Sequence, residues 1–383
     1  MADDGLAEAL REAARSPVRA AFREALPAWF DGARRPMPWR EPGPDGRRDP
    51  YRVWVSEVML QQTRVETATP YFRRFTERFP TVRDLAEAGQ DEVLKLWEGL
   101  GYYSRARNLH RAAQQVVADH DGEVPSDEEA FRALPGAGPY TAAAVLSLAF
   151  DTPLAVLDGN VIRVLTRVFA IDADARSGRT RRQLQDLADV LLDPAHPGRW
   201  NESVMELGAT VCTPRSPACP RCPLNDVCQA YARGAPEAFP VVSKRAPVPH
   251  HTIAVGLVID DASRVLIQRR PEDAMLGGLW EFPGGKVEDG ETPGEACVRE
   301  LREELAVEVE VSAPIARVEH AYSHFRITMH AFRCRLVSGE PASETGEPIA
   351  WVPIDALDDY AFPRANRRVI EALIEEARAP RLL

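Results

Sequence analysis

The sequence has 383 residues, a formal net charge of −11, and is 45% hydrophobic and 27% charged. That length holds two or three domains with sizeable cores, and the acidic balance excludes a general basic coat for nucleic acid, so any DNA-binding patch must be local. No apolar run approaches the roughly 18 residues of a membrane span, and the start MADDGLAEALREAARS lacks the basic and apolar regions of a signal peptide.

Residues 1–232 carry 33 acidic against 29 basic side chains and residues 233–383 carry 25 against 18, so the N-terminal part is nearer neutrality. The first 20 residues read as an acidic helix. An amphipathic stretch follows and ends in RRPMPWR, where Trp39 and Arg40 read as the exposed end of a proline-rich loop. Asp49-Pro50 is a helix-start signal, and Val53, Trp54, Val58, Met59 and Leu60 suit a mostly buried helix. Glu57 sits inside that run. Turned inward, its charged form is disfavoured and it can carry a proton at neutral pH as a general acid; turned outward, it is an ordinary surface acid. Residues 81–118 read as two helices around Leu100-Gly101-Tyr102-Tyr103, with Arg105 and Arg107 just beyond. An aromatic tip flanked by arginines fits a wedge that fills the gap left by an extruded base, although packing at a helix corner describes Tyr103 better.

Ser126 and Glu129 read as a capping box. Gly136 and Gly138 then make a tight turn before a helix through Phe150. The free N–H groups at such a helix start can hold a phosphate, and an ordinary interhelical turn has the same pattern. Asp158, between Leu157 and Gly159, reads as a turn former whose corner would aim its carboxylate. About three amphipathic segments follow, the last capped by Asn201-Glu202-Ser203. Cys212-x6-Cys219-x2-Cys222-x5-Cys228 is a metal signal. Structural zinc usually pairs two close knuckles, and only one is present here; four thiolates at these gaps suit a [4Fe–4S] cluster better than zinc. Residues 233–251 form a proline-rich linker, after which TIAVGLVI and SRVLIQRR read as strands. Glu300, Glu303 and Glu304 would share one helical face, either as a solvated acidic surface or as a site that gathers Mg²⁺ against a pyrophosphate.

Residues 134–165 resemble the helix-hairpin-helix glycosylase superfamily, and VWVSEVMLQQT is similar, almost residue for residue, to the catalytic helix of the MutY-type adenine DNA glycosylases. The cysteine spacing matches theirs and that of endonuclease-III-like glycosylases. GGKVEDGETPGEACVRELREELAV resembles the Nudix box G-x5-E-x7-R-E-U-x-E-E-x-G-U: Gly285, Glu291, Arg299, Glu300, Leu301, Glu303, Glu304 and Val307 match, and Ala306 stands where the box has glycine. The resemblance implies a multidomain chain: an acidic helix or tail (1–20), an all-α helix-hairpin-helix glycosylase domain (21–211), a [4Fe–4S] loop (212–228), a proline-rich linker (229–250) and an α+β Nudix-like, MutT-like domain (251–383).

The implied activity is removal of adenine mispaired with 8-oxoguanine or guanine in double-stranded DNA, within base excision repair. In that frame Glu57 protonates the adenine, Asp158 answers the sugar cation, and Tyr140 and Asn160 support it. Gln62 enters the DNA stack, Tyr102 is the wedge, and Gly136 and Gly138 grip the backbone. Strand-cleaving relatives have a lysine where Tyr140 stands, so the resemblance implies a monofunctional enzyme without a Schiff base. The C-terminal domain would read 8-oxoguanine through Tyr322-Ser323-His324, where the family usually has Phe-Ser-His, and through Asn366 of FPRAN. The near-complete box leaves open a residual Mg²⁺-dependent pyrophosphatase activity on 8-oxo-dGTP. We expect a monomer without membrane contact, cytoplasmic and, in a bacterium, on the nucleoid. The rival readings are a strand-cleaving glycosylase, a Nudix pyrophosphatase tethered to a DNA-binding module, and a lesion sensor without catalysis.

Overall fold

The computed structural model describes residues 2–43, 46–243, 247–322, 324–344 and 346–378. The chain divides into two compact units, Met1–Glu87 with Arg111–Arg245, and Ala88–His110 with Ala246–Leu383.

The first unit is helical. Its helix Pro50–Leu60 starts on Asp49, whose carboxylate accepts from the N–H groups of Tyr51 and Arg52, and Pro50 takes the first helical position, where its missing donor costs nothing. Residues 53–59 are all buried, so this helix is enclosed rather than amphipathic. The hairpin pairs Glu128–Arg132 with Pro139–Phe150. The cap of its first helix is Asp127, which accepts from the Ala130 N–H at 2.9 Å, and not the expected Ser126 box; an ionised carboxylate is the stronger acceptor at the positive end of a helix.

Helix Gly159–Val168 follows Asp158, and Pro197–Thr210 closes the bundle. One apolar core runs from Phe22 and Leu26 through Val161, Leu165 and Leu187 to Trp200, Leu207 and Leu224, reaching the cysteine loop. The expected cap at residues 201–203 lies instead inside the last helix, which starts at Pro197. Asn201 is buried there because it serves the connector before Asp158. Its Oδ1 accepts from the Val156 N–H at 2.9 Å, and its Nδ2 donates to Ser147 Oγ and the Leu154 carbonyl, each at 2.8 Å. Trp39 also departs from expectation. It is buried and packs edge-on against Phe72 with ring centroids 5.3 Å apart.

The second unit is α+β. Its strands are β1 His250–Val258, β2 Arg264–Arg269, β3 Trp280–Glu281, β4 Gly284–Lys286, β5 Glu308–Ala321, β6 Arg326–Ser338 and β7 Ile349–Pro353. They form a mixed sheet of order β4-β1-β6-β5, parallel only between β1 and β6, and an antiparallel sheet of order β3-β2-β7. Helix Pro293–Leu305 packs through Leu301 and Leu305 on Ala254, Val258 and Leu266. Helix Arg364–Arg378 covers a separate core of Val255, Ile267, Phe282 and Met329. The two helices expected over residues 81–118 are three, Val82–Glu87, Gln90–Trp97 and Ser104–Asp119, because Gly89 ends one run and starts the next.

Helix Pro293–Leu305 stops at Ala306, whose φ of 55° is left-handed. Glycine holds that conformation without the clash between Cβ and carbonyl that costs other residues about 1 kcal/mol. Ala306→Gly is therefore expected to stabilise the unit by about 1 kcal/mol, read as a shift in urea midpoint at unchanged slope. A lowered midpoint would mean that the methyl packs favourably.

Candidate active site

Glu57 is 5% exposed in the enclosed 50–60 helix. Burial pushes its carboxyl up to about 7; Glu202 and Asp158 push the same way, while the Tyr140 hydroxyl and Arg40 oppose them. Tyr140, in the first turn of helix Pro139–Phe150, donates its hydroxyl to Glu57 Oε2 at 2.9 Å. Burial and the neighbouring carboxylates raise the tyrosine well above its ordinary value, so it stays a donor.

Asp158 caps the next helix by accepting from the Val161 N–H at 2.7 Å, and its Oδ2 accepts from Asn160 Nδ2 at 2.7 Å. Burial raises its carboxyl, and these two donors work against the rise. Asn160 is in turn held by Arg163 Nη2 at 2.8 Å. Gly208 permits the approach of helix Pro197–Thr210, since a Cβ there would come within 2.6 Å of Asn160 Cβ. The four expected catalytic residues thus line one cleft of about 370 Å³, a volume that suits a purine.

The cleft also contains groups that the sequence reading missed. Arg40 donates from Nε to Glu202 at 2.8 Å and from Nη2 to Glu206 at 3.0 Å; Arg48 reaches Glu202 and Arg35 reaches Glu206, each at 2.6 Å. Burial disfavours the charge on Glu206, yet Arg35 and Arg40 hold its carboxyl below the ordinary range. The available signal was a pair of glutamates four apart among apolar helix positions, facing an arginine-rich loop.

The expected DNA contacts fall in both units. Gln62 is exposed just past the 50–60 helix with a φ of 58°. Gly136 has a φ of 78°, and Gly138 caps the Pro139–Phe150 helix with open space, among the described residues, where a Cβ would sit. In the second unit Tyr102 is half-buried with a φ of 50°, under the Arg105 guanidinium at 5.5 Å. Left-handed backbone at non-glycine residues is held at a cost and concentrates at working sites. Tyr103 is the buried corner residue, and its hydroxyl accepts from the Gly99 N–H at 3.2 Å.

Cys212, Cys219, Cys222 and Cys228 line one pocket. Burial pushes the Cys222 thiol up to about 12 and raises Cys219 and Cys228, a cost that iron ligation removes by stabilising the thiolates. Arg167 reaches the Cys212 sulfur at 3.3 Å and the carbonyls of Thr213 and Pro214 at 2.7 and 3.1 Å. Leu224 of the same loop is buried in the helical core, with Cys212, Cys222 and Cys228 packed against it.

In the second unit Tyr322, His324 and Asn366 line a cavity of about 700 Å³; Ser323 lies outside the described residues. Tyr322 and His324 sit in the β5–β6 turn, with the Tyr322 ring stacked on Phe325 at 4.8 Å. Asn366 is buried, and among the described residues its Oδ1 has no hydrogen-bond partner. Glu304 and Glu281 line the same cavity, and burial lifts the Glu281 carboxyl to about 7. Glu304 accepts from Gln268 and the Gly284 N–H at 2.8 and 2.9 Å. Glu300 and Glu303, on the same helix, each accept from Arg299 at 3.0 Å. Among the described residues no helix is long and apolar enough to cross a membrane.

Three family models match. Residues 55–189 match the HhH-GPD superfamily base excision DNA repair protein, residues 212–228 the iron-sulfur binding domain of endonuclease III, and residues 254–372 the NUDIX domain. The adenine DNA glycosylase of Rattus norvegicus is 37% identical over 94% of this chain and 79% of its own length; that of Homo sapiens is 35% identical over 91% and 73%. Among solved structures, a thermostable thymine-DNA glycosylase is 28% identical, with a TM-score of 0.50 over 56% of this chain and 97% of its own.

Proposed function

Because the chain belongs to the adenine DNA glycosylase family, we propose that it hydrolyses the N-glycosidic bond of adenine mispaired with 8-oxoguanine or guanine in duplex DNA, without cutting the strand. The observation that carries this reading is the buried Glu57 carboxyl, held near neutrality and gripped by Tyr140 beside Asp158.

The chemistry follows that of glycoside hydrolysis. Glu57 gives its proton to a ring nitrogen of the extruded adenine, and the electrons of the C1′–N9 bond pass to the base, which departs neutral. Asp158 answers the positive charge left on the sugar, held in aim by its two donors. Water then adds to C1′ and returns a proton to Glu57. The monofunctional reading rests on Tyr140, which stands where strand-cleaving relatives have a lysine.

We assign the C-terminal cavity to the lesion. The N7 of guanine is an acceptor, whereas 8-oxoguanine carries a hydrogen there, and the unpartnered Asn366 Oδ1 is an acceptor that would take it. We further read the protein as a monomer acting on DNA in the cytoplasm, on the nucleoid if bacterial.

Single-turnover assays on adenine opposite 8-oxoguanine, guanine and thymine test the whole reading. We expect release opposite the first two, with strand breaks only after hot alkali. No release from protein with intact iron would overturn it. One observation favours a second activity, since Glu304 lines the lesion cavity: pyrophosphate release from 8-oxo-dGTP that needs Mg²⁺ and is lost in Glu304→Gln would establish it.

A further inference from the structure

One carboxylate joins the turn that carries Tyr102 to the helix start that carries Asn366. Glu98 immediately precedes Gly99-Leu100-Gly101-Tyr102. Its Oε1 accepts from the Phe362 N–H at 3.0 Å, and the Arg367 guanidinium closes on both oxygens, Nε on Oε1 and Nη2 on Oε2 at 3.0 Å. The two side chains are only 18% and 17% exposed. A two-pronged arginine–carboxylate pair shielded in this way is directional as well as strong. Lys95 adds a second cation at 2.8 Å from Glu98 and also reaches the Tyr360 carbonyl at 3.3 Å.

Arg367 directly follows Asn366, which lines the lesion cavity, in the first turn of helix Arg364–Arg378. A second strap runs in parallel: Asp91 pairs at 3.3 Å with Arg269, which lines the cavity, and Arg107 donates to the Glu272 carbonyl at 3.1 Å and to that of Gly277. At the other end of the link the turn holds Tyr102 in left-handed backbone, which costs a non-glycine residue free energy. Gly99, Gly101 and Tyr102 all have positive φ. The fold keeps them there by bonding Trp97 Nε1 to the Gly101 carbonyl at 3.2 Å and Arg105 Nη2 to the carbonyls of Leu100 and Gly101 at 3.3 and 3.0 Å.

We propose that Glu98 is a positioning residue that couples occupancy of the C-terminal cavity to the setting of the Tyr102 wedge, with the Glu98–Arg367 pair as the link. The proposal rests on the reading in which that cavity takes 8-oxoguanine and Tyr102 enters the DNA. A base edge bonded to Asn366 fixes the first turn of the 364–378 helix, Arg367 is carried with it, and Glu98 then holds the wedge turn in its strained form. With guanine opposite, nothing engages Asn366 in the same way and the link gives no advantage.

The test uses the full-length, iron-loaded protein. In Glu98→Gln the adenine release rate opposite 8-oxoguanine is expected to fall about tenfold toward the rate opposite guanine, the scale of a coupling between sites, while the rate opposite guanine stays within about twofold. Fluorescence of 2-aminopurine placed opposite the lesion should lose the rise that reports unstacking. Arg367→Ala should match it, and the exchanged pair Glu98→Arg with Arg367→Glu should recover the preference. Asn366→Ala reports separately on the lesion reading: if it keeps the full preference for 8-oxoguanine, that reading fails. If Asn366→Ala loses the preference while Glu98→Gln keeps it, or if Glu98→Gln slows both substrates equally, the link is overturned.

Discussion

Glu57→Gln is expected to slow adenine release by a factor of about 10²–10⁴, the usual worth of a positioned general acid. The amide keeps the shape and still accepts from the Tyr140 hydroxyl, so DNA affinity should hold while the transferable proton is gone. The pH profile of the parent enzyme supplies the same argument from the other side. Glu57 is pushed up to about 7 by burial, and only its protonated form delivers a proton. The rate should therefore fall about tenfold per unit as pH rises beyond that value. On the acid side it should fall as Asp158, itself raised by burial, loses its charge. Glu57→Gln should abolish the alkaline limb.

The substitution that slows the enzyme is expected to stabilise it. A carboxyl whose folded value lies above its unfolded one binds more protons when folded, so its contribution to stability declines as pH rises from the ordinary glutamate range to about 7. The neutral amide escapes that penalty. Its melting temperature at pH 8 should exceed the parent's, the trade expected where function holds a buried acid in place. A Glu57→Gln protein with parental rates would remove Glu57 from the mechanism.

Asp158→Asn is the second large effect, a loss of about 10²–10³ in rate, the scale of removing one preorganised electrostatic partner of the transition state. Asn is as good a helix cap as Asp, so the bond from the Val161 N–H and the Gly159–Val168 helix should persist. The melting temperature should change little. This separates the carboxylate's two roles: if rate and melting temperature fell together, capping alone would explain Asp158. Binding to duplex with a non-hydrolysable adenine analogue opposite 8-oxoguanine should stay near parental, because the lost charge acts on the sugar cation.

The elements most legible in the sequence were those written in short spacings. The glycine turn before Pro139–Phe150, the Asp158 corner, the four cysteines and the box helix each depend on residues within about one turn or loop of one another. Local backbone chemistry decides such features. Where two local signals competed, the reading slipped by a residue, as with Asp127 over Ser126, or by a turn, as with the Pro197–Thr210 start. Ala306 was visible as a departure from the box, but only its left-handed φ explains why glycine belongs there.

The sequence by itself determined the family, the order of the domains and the residue types able to do the chemistry. Tertiary structure alone decided which way Glu57 points, because a helix enclosed on every side has no polar stripe to betray its inward face. It also buried Trp39 and set Arg40 on Glu202 and Glu206, partners more than 160 residues away along the chain. It brought Glu98 to Arg367 across 269 residues. No periodicity encodes such pairs: charged groups find one another only after the hydrophobic core has fixed the helices that carry them, and burial then sets their charge.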